Sequence, residues 1–146
     1  MDIVEEEEQE EAESSTRKIR KQIVRDRIAA SDRLLAHYFN DDAVYRPTIF
    51  RRRFRMHKPM FLRIVNDIEN VSSFIRQGCD ARGVEGFTPI QKCTAAIRQF
   101  AYGSVSDSWD EYFQMSERMV RESLEEFCEC IIFLYKKNVS AQTYYY

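Results

Sequence analysis

The sequence predicts an all-α fold of about five helices, with a helix-turn-helix-like three-helix unit at its end and an acidic leader at its start. Three observations predict this class. Apolar residues recur every three or four positions through most of the chain, which is the period of a helix face. Residues 17–39 contain neither Gly nor Pro. Thr88, Pro89 and Gln91 have the spacing of a helix-start signature.

The first 16 residues differ sharply from the rest of the chain. Residues 1–13 carry eight acidic side chains and no basic one, and two serines and a threonine follow them. A segment with so few apolar groups cannot offset the entropy of ordering its backbone. We therefore expect a disordered acidic leader at 1–16, a helical domain at 17–136 and a divergent tail at 137–146.

Charge is segregated along the chain, although the formal net charge is only −2. Residues 14–146 hold 22 basic and 16 acidic side chains, and residues 17–63 alone hold 14 basic and 4 acidic ones. Clustered bases can neutralise phosphates and release their counterions, so DNA is the expected partner. An acidic protein would satisfy the same charges.

The cysteines and the hydropathy pattern indicate in which cellular compartment the protein is expected. The four cysteines lack the regular spacing of a disulfide framework, and no apolar signal segment opens the chain. The longest strongly apolar stretch, residues 127–135, is about half of the roughly 20 residues that a membrane span needs. The expected compartment is the nucleus or the cytoplasm, with no membrane partner.

Three helices are predicted in the first half. The first is a basic amphipathic helix from Arg17 to about Phe39, with an apolar stripe that includes Ile28. A short second helix follows Pro47 and turns Phe50 and Phe54 inward, and a third runs from about Pro59 to Asn70. The apolar stripe of the third helix consists of Phe61, Ile64, Val65 and Ile68.

The second half begins with a glycine-containing connection at 71–87, which we expect to hold one short helical turn. A helix at 89–102 follows, with Ile90, Cys93, Ile97 and Phe100 on its apolar face and Gly103 as its stop. A short helix at 106–114 uses Trp109 and Phe113 as core anchors. Ser116 then caps a last helix, which runs to about Lys136.

Several sequence blocks closely resemble plant PIF/Harbinger transposase-derived proteins. They are FRRRFRM at 50–56, FLRIV at 61–65, TPIQKCTAAIRQFAYG at 88–103, SDSWDEYF at 106–113 and SLEEFC at 123–128. The similarity covers roughly residues 33–135 and keeps the order and spacing of the blocks. It fades after Tyr135, where the chain ends in KKNVSAQTYYY.

The resemblance implies an all-helical region that precedes an RNase H-like nuclease domain, whose three acidic residues hold divalent metal. No residue of this chain matches those acids, so the resemblance implies no catalytic residue, no cofactor and no metal here. It also implies a Myb-like protein as a partner. A truncated transposon remnant, a mispredicted gene model and a short derivative that kept only the front module all fit this pattern.

The candidate nucleic-acid-binding residues fall into two groups. Phosphate contact is assigned to a basic cluster on the second and third helices, where arginine offers a planar fork of donors: Arg51, Arg52, Arg53, Arg55, Lys58 and Arg63. Base contact in the major groove is assigned to Arg118 and Arg121. Against the second group, five glutamates on the same helix would repel phosphate.

Other chemistry is not expected. Asp107, Asp110 and Glu111 fit the first turn of a helix better than a metal site, because acids there interact favourably with unpaired N–H groups. Cys128 and Cys130 would point about 200° apart on a helix with 3.6 residues per turn, so a metal pair is not expected. No catalytic constellation and no phosphate-binding glycine loop is present.

The sequence therefore favours a non-catalytic, transposase-derived module that associates with DNA and has no small-molecule substrate. The alternative is a protein-interaction module that binds a Myb-like partner, because the last helix is acidic outside and apolar inside. A second alternative is the front part of a longer nuclease.

Overall fold

The computed structural model describes residues 25–103 and 111–143, with side chains described as far as Lys136. Within these ranges the chain is helical and contains no strand, apart from one isolated bridge between Cys79 and Glu85. This confirms the predicted all-α class. The predicted disordered leader at 1–16 lies outside the described residues.

Five α-helices occur in the described residues, which agrees with the predicted number. In chain order they are α1 (Arg27–Leu34), α2 (Pro47–Phe54), α3 (Lys58–Val71), α4 (Pro89–Tyr102) and α5 (Glu117–Thr143). A π-helical segment, Leu35–Phe39, continues α1. None of the described helices combines the length and the apolar composition that a bilayer crossing requires.

The prediction of one continuous helix from Arg17 is wrong at its N-terminal side. Residues 25 and 26 are not helical, and α1 begins at Arg27 because the Asp26 carboxylate accepts a hydrogen bond of 2.9 Å from the Ala29 N–H. Such a cap satisfies a donor that has no partner within the helix. Residues 17–24 lie outside the described part of the chain.

Ile28 was also assigned wrongly to the buried stripe, since 65% of it is exposed. Leu34 and Tyr38 of the predicted stripe are buried, and Ala30 joins them at the same spacing of four residues along α1 and the π-helical segment. The π-helical turn, closed by the Asn40 N–H to the Leu35 carbonyl at 2.8 Å, holds one residue more than an α-turn.

The extra residue of the π-helical turn brings both Tyr38 and Phe39 against α2. Their rings lie 5.3 and 5.9 Å from that of Phe54, respectively. Phe50 and Phe54 stack in parallel with a ring separation of 4.0 Å and are buried, as predicted. Phe61 of α3 completes this aromatic centre at 5.0 Å from Phe54.

The apolar stripe of α3 is confirmed. Its four predicted members are all buried: Phe61, Ile64, Val65 and Ile68. The helix begins at Lys58 with Pro59 in its first turn and ends at Val71, within one residue of the predicted bounds. The connection to α4 contains a turn at residues 73–75, where the sequence predicts a helical turn.

The predicted bounds and capping of α4 are confirmed. The Gln91 N–H donates to Thr88 Oγ1 at 3.1 Å, the Thr88 N–H donates to Gln91 Oε1 at 2.8 Å, and Gly103 ends the helix at φ 73. The predicted buried face is only partly right, because Phe100 is 71% exposed while every residue from Gln91 to Ile97 is buried. The reason is that α4 packs against three other helices, α2, α3 and α5, so more than one of its faces is covered.

The last helix begins as predicted and ends later. Ser116 Oγ accepts from the Met119 N–H at 3.2 Å, but α5 continues to Thr143 instead of ending near Lys136. The stretch 137–143 contains neither Gly nor Pro, so no residue in it interrupts the helix. Along α5, Val120 and Phe127 are buried and Leu124 is half-buried.

The short helix predicted at 106–114 lies mostly outside the described residues, and Trp109 lies outside them too. Residues 111–113 are helical, and Phe113 is buried with Phe87, Ala95 and Met115 in a small second cluster. The helix-turn-helix outline stays a prediction, since only these three residues of its middle helix are described.

Candidate nucleic-acid interface

The exposed arginines of α2 result from the stack of Phe50 and Phe54. Since these rings lie four residues apart on one face, two of the three residues between them are turned away from the core. Arg51 and Arg52 are exposed, and Arg55 and Arg63 are exposed as well. These four residues are called the arginine surface below.

Arg53 belongs to the same sequence block but has a different environment. Its guanidinium donates a hydrogen bond to the Tyr38 hydroxyl and lies 4.5 Å from the centre of the Tyr45 ring. The hydrogen bond with Tyr38 raises the pKa of Arg53, although burial opposes it. These contacts tie α2 to the π-helical segment and hold Arg53 partly inside the protein.

The remaining predicted phosphate ligands lie at the two ends of the turn between α2 and α3. Arg55 has the left-handed backbone conformation, with φ 59, and its guanidinium lies 5.9 Å from the Tyr102 ring of α4. Lys58 is half-buried, with its ammonium 5.8 Å from the Phe50 ring. Cation–π contacts of this kind orient a positive group without neutralising it.

The predicted base-reading residues of α5 have acidic neighbours. Arg118 and Arg121 are exposed, and the Arg118 guanidinium donates to Glu122 at 2.8 Å. This hydrogen bond raises the pKa of Arg118. Glu117 and Glu125 are exposed on the same helix, so the arginines of α5 have negatively charged side chains near them.

Two basic residues that the sequence did not single out have structural contacts. Arg33 donates to the backbone carbonyls of Glu111 and Tyr112, and His37 Nδ1 lies 2.8 Å from the Tyr112 hydroxyl. These contacts fasten α1 to residues 111–113. They join residues more than 70 positions apart, so no local pattern could have revealed them.

Lys92 is a third basic residue whose contacts the sequence reasoning missed. It is only 7% exposed, and its ammonium donates to the carbonyls of Phe74 and Arg76 at 2.6 and 3.3 Å. Burial lowers its pKa. Lys92 therefore anchors the connection between α3 and α4 and is not exposed for phosphate contact.

An apolar groove opens on the surface between α3, α4 and α5, with a volume of about 410 Å³. Its lining has no charged side chain and consists of Met56, Ile64, Ile97, Phe100, Phe127, Cys128, Ile131 and Ile132. At its mouth Phe100 and Ile132 are 71% and 62% exposed. The sequence patterns did not reveal this groove, because its walls come from three helices and the segment between α2 and α3.

The described residues contain no group of three or more His, Cys, Asp or Glu side chains that could hold a metal ion. Cys128 is half-buried and Cys130 is buried, with Cys130 Sγ 3.8 Å from Glu126 Oε1. Of the three acids weighed as metal ligands, Glu111 is exposed, whereas Asp107 and Asp110 lie outside the described ranges.

Comparison with protein families finds one similarity. A domain of unknown function, DUF8418, matches residues 31–69, which run from α1 through α3 and include the arginine surface. No curated protein and no solved structure matches the chain.

Proposed function

We propose that this helical domain associates with duplex DNA through the arginine surface and does not itself cut the strands. The observation that carries the proposal is the burial of Phe50 and Phe54, at 1% and 0% exposure. Their stack fixes the orientation of α2, and the arginines next to them are therefore held in solvent without ordering a loop on binding.

Charge chemistry supports phosphate as the ligand. Each guanidinium presents a planar fork of donors to an anionic oxygen, and each neutralised phosphate releases condensed counterions. Such contacts position a protein on the duplex and carry no sequence information directly. Base reading by Arg118 and Arg121 is less well supported, because Glu122 already accepts a hydrogen bond from Arg118.

The resemblance of the sequence blocks supports the same proposal from another direction. We propose that the chain derives from a PIF/Harbinger transposase, since the blocks FRRRFRM and FLRIV supply α2 and the buried face of α3. A DNA-associated role makes the nucleus the proposed compartment. Imaging of the tagged full chain would test that part, and exclusion from the nucleus would contradict it.

Binding is tested by the fluorescence anisotropy of labelled duplex DNA, titrated with the full chain at about 50 and 200 mM salt. Each neutralised phosphate contributes about −0.9 to the slope of log K against log salt. A slope steeper than about −3 supports DNA association through charge, since it needs more than about three neutralised phosphates. Absence of binding at the lower salt concentration would refute the proposal.

A protein partner is the second candidate, and the apolar groove is the observation that favours it. Exposed apolar surface of this kind marks contact sites for other chains. Binding to such a partner would depend on Phe100 and Ile132 and would change little with salt. Affinity that is insensitive to salt but lost in Phe100→Ser would favour this candidate over DNA association.

A further inference from the structure

The apolar groove has two large apolar side chains exposed to solvent in its lining. They are Phe100 and Ile132, at 71% and 62% exposure. Single exposed apolar residues are normal, but a groove with an entirely apolar lining is the kind of surface that a polypeptide segment covers.

The two sides of the groove carry opposite charge. Arg55 directly precedes the lining residue Met56 and is held against Tyr102, two residues from the lining residue Phe100. On the α5 side, Glu125 and Glu129 are exposed, each three residues before a lining residue. A segment that fits both features has apolar residues followed by acids that point toward α2 and away from α5.

Such a segment exists in this chain, in residues 3–8. Ile3 and Val4 are followed directly by four glutamates, at positions 5–8. We propose that this segment docks on its own domain, with Ile3 and Val4 in the apolar groove and the glutamates against Arg55 and the neighbouring arginines of α2. The reverse orientation would place the glutamates beside Glu125 and Glu129, where like charges repel.

The chain between the two sites is long enough for this contact. Residues 9–24 separate the segment from the first described residue, Arg25, and a fully extended chain of that length spans up to about 50 Å. A domain of roughly 110 residues has a radius of gyration of about 13 Å, so the segment can reach any part of its surface.

Because the segment and the groove belong to one chain, the segment can occupy the groove with only a weak intrinsic affinity. Covalent linkage of two sites that the chain can span gives an effective concentration in the millimolar range, so an intrinsic dissociation constant near one millimolar suffices for half-occupancy. Two aliphatic side chains with charge complementarity are consistent with an interaction of that strength. If the proposed function holds, the docked glutamates also compete with DNA phosphates for the arginine surface.

The test uses the full chain and amide NMR spectra, with no DNA present, so its result does not depend on the proposed function. The docking variant carries Ile3→Ser and Val4→Ser, the charge variant carries Gln at positions 5–8, and the control carries Ala12→Ser. All of these substitutions lie outside the described helices.

Docking predicts that the docking variant shifts the amide signals of Phe100, Ile132 and Arg55, while the control leaves them in place. The charge variant should shift the amide signal of Arg55 more than that of Ile132, because the glutamates point toward α2. Groove signals that are identical in the wild type and the three variants would overturn the proposal. The groove would then be a candidate binding site for another protein. Groove signals that move with protein concentration would overturn it in favour of a second copy.

Discussion

At the scale of single residues, the aromatic centre holds the N-terminal half of the described domain together. Phe54 is fully buried and contacts Phe50, Phe61 and the ring of Tyr38. Aromatic pairs at these separations add to the free energy gained from burial alone. The exposed Phe100 has the same side chain and has no comparable role in the core.

Replacing Phe54 by Ala should lower the free energy of unfolding by about 3–5 kcal/mol, through lost burial and the cavity that remains. Phe100→Ala should change it by less than about 0.5 kcal/mol, because the side chain is largely in solvent. Urea unfolding followed by circular dichroism measures both. Equal effects of the two substitutions would contradict the described packing.

Cys93 gives a second test at this scale. It is fully buried, and burial raises the pKa of its thiol to about 12, whereas Cys79 is exposed. At about pH 8 the Cys93 thiol therefore stays protonated, and the thiolate is the reactive form. Mass spectrometry after maleimide treatment should find Cys79 modified first and Cys93 last.

The same shift predicts a pH dependence. A raised pKa in the folded state means that the contribution of Cys93 to stability is complete below pH 9.0 and is lost as pH rises toward about 12. In Cys93→Ala the free energy of unfolding should fall less over this interval than in the wild type. Early modification of Cys93, or an unchanged fall in the variant, would show that this thiol is not buried.

Arg51, Arg52 and Arg53 show which features of the site could be predicted from the sequence and which could not. Their positions between two inward-facing phenylalanines predicted that most of them face solvent, and Arg51 and Arg52 do so. The sequence did not separate Arg53 from them, because its partner Tyr38 lies 15 residues away on the π-helical segment. Tertiary contacts of that kind have no local pattern.

At the scale of helices, the first and last residues of a helix can be predicted from the sequence where a capping residue sets them. The capping box at Thr88 and the left-handed Gly103 set the bounds of α4, and both were predicted. The start of α1 was not predicted, because Asp26 is one of several acids and the apolar period continues across it. The end of α5 was placed too early because the apolar repeat of the helix ends at Tyr135, whereas the helix itself continues to Thr143.

Thr88→Ala tests the capping box. Loss of the hydroxyl leaves the Gln91 N–H without its partner and should cost about 1 kcal/mol, which lowers the melting temperature by about 4–8 °C in a domain of this size. The control is Thr48→Ala, an exposed position within α2. Thermal unfolding in which both variants melt like the wild type would show that the cap does not stabilise α4.

At the scale of the whole molecule, the helical class was predictable because apolar periodicity persists through long segments. The burial of an entire stretch of α4 was not, since it depends on three other helices packing around it. The apolar groove was missed for the same reason. What the fold adds to the sequence is an apolar groove that has Arg55 of the arginine surface on one side and the exposed glutamates of α5 on the other.

The central claim is that DNA association depends on the arginine surface and not on net charge or on α5. Two triple variants of equal charge separate these possibilities. One carries Arg51→Gln, Arg52→Gln and Arg63→Gln. The other carries Arg82→Gln, Arg118→Gln and Arg121→Gln, of which Arg82 and Arg118 are paired with Asp80 and Glu122 at 3.5 and 2.8 Å.

Anisotropy titrations of duplex DNA over a range of salt compare both variants with the wild type, after thermal unfolding has shown that all three chains are folded. The account predicts that the first variant binds more weakly and that its log-log salt slope is shallower by up to about 2.7, which corresponds to three lost phosphates. The second variant should bind like the wild type. Equal losses in both variants, or a loss only in the second, would contradict the account.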